Sequence, residues 1–285
     1  MENFETYKNQ PMDIVIQGGQ SNAEGAGRGD AKEPYVPDER ILYLNPRAYA
    51  VVKNYPDGSE NMEVSYPEAP VIEIAAERKI GEGKGEILSD FSLSFAREYL
   101  RAGLLGAGRK LLIIRAAVGG TGFAKGHWTQ NGILYRKLLA LTDSALSLNP
   151  GNKLVAFLWH QGECDAFEFP DRTEEERYQI HFQNLKEMLV SVLNRYNVPD
   201  LPIVTGGIIK DWRSKYAKQC DAVEKAIRDV CALLPSADFA ESDGLLSNDQ
   251  ATGNGDDIHF CRDSLMELGK RYFEKYRTLI TKKDR

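Results

Sequence analysis

The chain has 285 residues, 42% apolar and 27% charged, the composition of a folded globular protein rather than a disordered or fibrous one. Its formal charge of −6 comes from acidic and basic residues interleaved along the whole length. It has no Lys/Arg stripe to neutralise a row of phosphates and no apolar run near the ~18 residues of a membrane span, so neither nucleic acid nor a bilayer is an expected partner.

The four cysteines, Cys164, Cys220, Cys231 and Cys261, form no CxxC pair. That spacing argues against a disulfide framework or a zinc knuckle and for reduced, mostly buried thiols. Residues 1–10 are polar and mixed in charge, without a signal-peptide pattern, so the expected location is cytoplasmic.

In chain order, residues 13–19 (DIVIQGG) make a short β-branched run stopped by two glycines, and residues 41–44 make a second apolar run. Residues 45–85 break the pattern with several prolines and glycines, no clear periodicity, and a cluster of Tyr49, Tyr55 and Tyr66. A loop insertion is expected there, either a wall of a binding site or a passive surface addition. Residues 89–105 place Phe91, Phe95, Tyr99 and Leu100 at helical spacing. A strand-like run at 111–118, a helix at 133–148 and a strand-like run at 154–159 follow. The helix predicted at 173–196 opens on Thr173 and Glu176, a capping box. A strand at 202–208, a helix at 216–233, a weaker strand-like run at 237–240 and a helix at 262–280 complete the pattern.

Each strand-like run is short and rich in Ile, Val and Leu, as strands covered on both faces are. Their alternation with helices predicts an α/β fold, a mostly parallel sheet of about five strands between helices. With no internal repeat and no linker-like shift in composition, residues 1–285 read as a single domain carrying the 45–85 insertion.

In such sheets functional groups gather at the carboxyl ends of the strands. The first strand is followed by Gly18-Gly19-Gln20-Ser21-Asn22, where the glycines allow a sharp turn and leave room beside Ser21. The hydroxyl would be exposed as a nucleophile, although a serine there is also an ordinary turn or helix-cap residue. The following Gly25-Ala26-Gly27-Arg28-Gly29 lacks both the Gly-Lys-Ser/Thr of a phosphate loop and the dinucleotide spacing. After residues 111–118 comes Gly119-Gly120-Thr121-Gly122, and after 154–159 comes His160-Gln161-Gly162-Glu163-Cys164-Asp165. Unobstructed backbone N–H groups and a neutral amide are the donors a developing oxyanion needs. Tight-turn geometry and a surface amide are the plainer readings of the same residues. His160, Glu163, Cys164 and Asp165 are metal-ligand types, but the paired-histidine spacing is missing, and no metal or cofactor is expected.

Near the C-terminus, Asp256 stands three residues before His259. At that spacing the carboxylate can reach the imidazole, fix its tautomer and stabilise the imidazolium formed when His259 takes a serine proton. A helix-start histidine satisfied by Asp256 has the same spacing. Asp257 points more naturally elsewhere. His181 falls within a predicted helix, and His127, beside Trp128 in a loop, suits binding better than proton transfer.

Taken together these blocks resemble the SGNH hydrolases, specifically the carbohydrate-esterase branch of sialate O-acetylesterase-like and acetylxylan-esterase-like proteins. Gly19-Gln20-Ser21-Asn22 resembles the nucleophile block and Val118-Gly119-Gly120-Thr121 the second block. Residues 159–165 resemble the WxQGExD block, and Asp256-x-x-His259-Phe260 the terminal DxxHF block. Residues 92–96 are similar to the helix after the family's insertion. The matches run in order from residue 13 to 260.

The resemblance implies a three-layer α/β/α flavodoxin-like fold and a Ser21–His259–Asp256 triad. It also implies an oxyanion hole from the N–H of Ser21, the N–H of Gly119 and the Gln161 side chain. Asn22, Gly120, Trp128 and Glu163 are then candidate substrate-contacting or supporting residues. The implied activity is that of a serine esterase hydrolysing O-acetyl esters on carbohydrates, acetylxylan or related oligosaccharides, through an acetyl-serine. The alternatives are a sialate O-acetylesterase, a non-hydrolytic carbohydrate-binding protein on the same fold, and a nucleotide-dependent transferase. Retention of Ser21, Asp256 and His259 argues against the pure binder, and the missing phosphate loop against the transferase. Cys164 replaces the family's frequent Ser, and the 45–85 segment is longer than is usual for the group.

Overall fold

The first apolar run becomes the middle of a sheet. The computed structural model describes residues 4–46, 49–54, 60–66, 69–80 and 86–283. Strand β1 (Met12–Gly19) is buried along its entire length and leads directly into the one-turn helix α1 (Ser21–Glu24). After β2 (Ile41–Asn45) come β3 (Tyr49–Asn54) and β4 (Glu60–Ser65), which pair with each other, and β5 (Val71–Ile74), which pairs antiparallel with β2. Strands β6 (Arg78–Ile80) and β7 (Glu86–Leu88) form another short ladder.

The chain then alternates: α2 (Phe91–Arg101), β8 (Lys110–Arg115), α3 (Ile133–Ser147), β9 (Lys153–His160). Helices α4 (Glu163–Phe167) and α5 (Glu174–Tyr196) precede β10 (Ile203–Gly206). Helices α6 (Lys210–Lys215) and α7 (Ala217–Leu233) precede β11 (Ala237–Ala240), and α8 (Asn248–Thr252) and α9 (Arg262–Lys283) close the chain. The capping box at Thr173 and Glu176 is present, with Thr173 Oγ1 accepting from the Glu176 N–H.

Among the described residues the main sheet has seven strands in the order β11-β10-β9-β1-β8-β2-β5, where about five were expected. Six are parallel. The weak run at 237–240 does pair, and β5 adds an antiparallel edge. An edge strand escapes a search for buried runs because one of its sides faces water: in β5 only Ile72 is buried, while Glu73 and Ile74 are exposed. The 45–85 segment likewise holds three short antiparallel pairings among the described residues where a loop was expected. Strands such as VIEI and ENMEVS mix charged and apolar residues too evenly to stand out. Of the three tyrosines there, Tyr66 packs beneath Lys137, whose Nζ lies 4.5 Å from the ring centre. Tyr55 and the Tyr49 side chain lie outside what is described.

Helices α2 and α9 pack together, as do α5 and α7, and α3 joins α5 through the Tyr135–Ser191 hydrogen bond. They flank the sheet. All four cysteines are free and buried, as expected. No described helix is long and apolar enough to cross a membrane. Strand β1 lies between β8 and β9, so the chain departs from it toward both edges, which makes its carboxyl end the topological switch point of the sheet. Ser21 stands there.

Candidate active site

At the end of β1 the backbone of Gly19 takes φ +134°, and any side chain there would overlap the His160 carbonyl of β9. Only glycine fits, and the turn it permits makes Gln20 the N-cap and Ser21 the first residue of α1. Gly119, four residues past β8, lies beside Ser21: a Cβ on it would be 3.4 Å from Ser21 Cβ.

Ser21 Oγ lies 2.8 Å from His259 Nε2, and His259 Nδ1 lies 2.8 and 2.9 Å from the two carboxylate oxygens of Asp256. A carboxylate can only accept, so the imidazole proton is on Nδ1 and Nε2 is left to accept from the serine hydroxyl. Burial pushes the Asp256 carboxyl up, but hydrogen bonds from His259 and from Asn248 Nδ2 (2.8 Å) outweigh it and hold the group below its ordinary value. Asp257 turns away and pairs with Lys215.

What holds His259 against Ser21, 238 residues away in the chain, is Asn22. This fully buried side chain donates to the Ile258 carbonyl (3.2 Å) and accepts from the Phe260 N–H (3.1 Å), gripping the backbone on both sides of the histidine. Glu163 Oε1 in turn accepts from Asn22 Nδ2 at 2.7 Å, so Glu163 braces the side chain that grips the backbone around His259. His160 is also buried. Its Nδ1 meets the Tyr272 hydroxyl at 2.9 Å, and that hydroxyl donates to the Trp159 carbonyl, so His160 is the donor. Burial holds His160 below the ordinary imidazole value against the opposing pull of Glu163. Among the described residues, no three His, Cys, Asp or Glu side chains are grouped to share a metal ion.

Trp128, a candidate for contact with substrate, is in the core. It is fully buried, donates to Thr121 Oγ1 at 3.0 Å and packs edge-on against Trp159. Its part is to stiffen the turn after β8. Gly120 belongs to that turn, with φ +68°, and its carbonyl accepts from the Cys164 thiol at 3.5 Å. The cysteine at the position of the family's serine therefore keeps a hydrogen bond to the second block.

The expected oxyanion donors lie around Ser21, but two are engaged. The Gly119 N–H donates to Glu24 Oε2 at 2.7 Å. Gln161 is buried, and its amide donates to Gln20 Oε1 at 3.2 Å; that oxygen also accepts from the Cys164 N–H. Gln20, Glu24 and Asn248 were not anticipated. Glu24 had a signal, standing three residues after Ser21 on a helix. Asn248 had none, because its partners Ala26, Arg28 and Asp256 meet only in the fold.

A family model described as "Carbohydrate esterase, sialic acid-specific acetylesterase" matches residues 11–278. The chain belongs to this family. A curated relative, the "Probable 9-O-acetyl-N-acetylneuraminic acid deacetylase" of Escherichia coli (strain K12), is 25% identical over 134 residues, 40% of each chain. The match thus spans well under half of that relative. Among solved structures, the fold is shared with NanS (TM-score 0.69, 17% identity, covering 96% of this chain and 99% of that one). It is shared also with an Arabidopsis thaliana protein (0.64, 19%, 94% and 98%). A carbohydrate acetylesterase from Xanthomonas citri aligns with TM-score 0.57 and 17% identity, over 95% of this chain and 56% of that one. The α/β architecture expected of an SGNH hydrolase is therefore the one observed, with two strands more in its sheet.

Proposed function

We propose that the protein is a serine esterase that removes O-acetyl groups from carbohydrates. The observation that carries this reading is the unbroken hydrogen-bonded line from Ser21 Oγ through His259 to Asp256 at the carboxyl end of the central strand, in a chain of the carbohydrate esterase family. Ser21 Oγ attacks the acetyl carbonyl while His259 Nε2 takes its proton. Asp256 holds the Nδ1 proton in place and stabilises the imidazolium. The tetrahedral intermediate collapses to acetyl-Ser21 as the sugar oxygen leaves with the proton from His259. A water deprotonated by His259 then attacks the acetyl-serine and releases acetate. The Ser21 N–H, the Gly119 N–H and the Gln161 amide are the oxyanion donors of this reading. No step uses a cofactor.

A second substrate, an O-acetylated sialic acid, is favoured by the family description and by the name of the Escherichia coli relative. Acetate release from a panel of acetylated xylo-oligosaccharides and O-acetylated sialic acids separates the two. Ser21→Ala is expected to fold normally and to lose activity by roughly 10³-fold or more on whichever substrate is used. A folded Ser21→Ala variant with near-normal acetate release would remove Ser21 from the mechanism.

A further inference from the structure

The proposed mechanism needs the Gly119 N–H, yet Glu24 already holds it. Glu24 ends α1, one helical turn beyond Ser21, and its Oε2 accepts from Gly119 at 2.7 Å. A Cβ on Gly119 would lie 3.2 Å from this carboxylate and 3.4 Å from Ser21 Cβ, so carboxylate and nucleophile flank the same glycine. The Glu24 backbone is pinned, because Arg115 donates to its carbonyl. Its side chain is about one-third exposed. The other oxygen, Oε1, lies 3.6 Å from Arg78 Nη1, and Arg78 is itself anchored by donating to the Gly25 carbonyl at 2.6 Å. One carboxylate thus stands between two donors, a neutral N–H it now occupies and a guanidinium within a small rotation of it.

We infer that Glu24 is an exchangeable occupant of the oxyanion donor: it yields Gly119 to the ester, rests on Arg78 during turnover, and displaces the product acetate when it returns. The inference rests on the esterase reading above. A carboxylate held on a backbone N–H at 2.7 Å is a charge-assisted bond of the kind product acetate would make at the same group. Acetate leaving acetyl-Ser21 carries the same two oxygens to the same place, and Glu24 competes with it at an effective concentration fixed by the chain. Were Glu24 to stay while charge developed on the ester oxygen, two negative oxygens would share one donor. Arg78 removes that conflict.

Three measurements test the exchange. In Glu24→Ala the Gly119 amide proton, followed by 15N-resolved NMR, should move upfield as it loses a carboxylate acceptor, and an unmoved resonance overturns the proposal without reference to activity. Inhibition by acetate should strengthen about tenfold in Glu24→Ala, a difference of about 1.4 kcal/mol. Arg78→Ala should lower kcat/KM several-fold in the wild-type background and leave it unaltered in Glu24→Ala, where there is no carboxylate to receive. Unchanged acetate inhibition, or an equal Arg78→Ala loss in both backgrounds, overturns the exchange and reduces Glu24 to a brace for the Gly119 turn. Failure of the underlying esterase reading is read separately: the wild-type protein would release no acetate, or would release it undiminished in Ser21→Ala.

Discussion

At the scale of single residues, the two aspartates beside His259 make the sharpest contrast. Asp256 reaches the imidazole with both oxygens and is itself oriented by Asn248, whereas Asp257 lies against exposed Lys215. Asp256→Asn puts an amide where Nδ1–H needs an acceptor and favours the wrong tautomer, so kcat/KM should fall by roughly 10³–10⁴-fold. Asp257→Asn gives up an exposed ion pair, worth little, and should stay within about twofold of wild type. The reverse ranking in acetate-release kinetics would assign the triad carboxylate to Asp257. The pH profile follows from the same contacts. A carboxyl held below its ordinary value stays charged until the pH falls beneath the usual carboxylate range. Asp256 is therefore ionised at any pH above that range. The acid limb of kcat/KM should have unit slope, one proton on the base alone, and a slope of two would mean that Asp256 titrates with it.

At the scale of elements, the site is a junction of strand ends, and Gly19 is its tightest point. Alanine there would combine a left-handed φ with overlap onto the His160 carbonyl, which already accepts from the Gln20 N–H at 3.0 Å. Backbone on backbone cannot rotate aside. Gly19→Ala should cost at least ~4 kcal/mol, a fall in Tm of roughly 10 °C or outright failure to fold. Melting within a degree or two of wild type would show that β1 and β9 part more easily than their packing indicates. The long elements were legible in the sequence for a physical reason. Buried strands must be continuously apolar, and helices such as 174–196 carry both a period and a cap, so burial and hydrogen bonding leave their mark residue by residue. The elements between 49 and 88 leave no such mark, since short, partly solvated pairs take almost any mixture of polar and apolar residues. At the site, the residues that meet a neighbour a few positions away, Asp256 with His259, could be paired by spacing. Asn22 gripping residues 258 and 260, and Asn248 orienting Asp256, depend on long-range closure that no local pattern encodes.

At the scale of the whole molecule, the last helix is fastened to the sheet through the two hydrogen bonds of one tyrosine hydroxyl in an otherwise aromatic setting. Tyr272 of α9 donates to the Trp159 carbonyl and accepts from His160, with Phe91 and Phe260 packed around the imidazole. His160 is buried, with Glu163 Oε1 3.8 Å from its Nε2, and burial outweighs that carboxylate, so its proton affinity in the fold lies below the ordinary value of 6.5. The unfolded chain therefore binds a proton that the folded chain does not. Stability from this group is complete above about pH 6.5 and declines as the pH falls from there through the depressed folded value, so the sign is loss on the acid side. Leucine at 160 removes the titrating ring while the Tyr272 hydroxyl keeps its acceptor on Trp159. Denaturant unfolding of His160→Leu between roughly pH 7 and 5 should give a shallower dependence of stability on pH than wild type, whatever its stability at neutral pH. Parallel curves for the two proteins would mean that His160 accepts its proton inside the fold. The Tyr272 contact would then have to be rebuilt around an imidazolium, with Glu163 as its counter-ion.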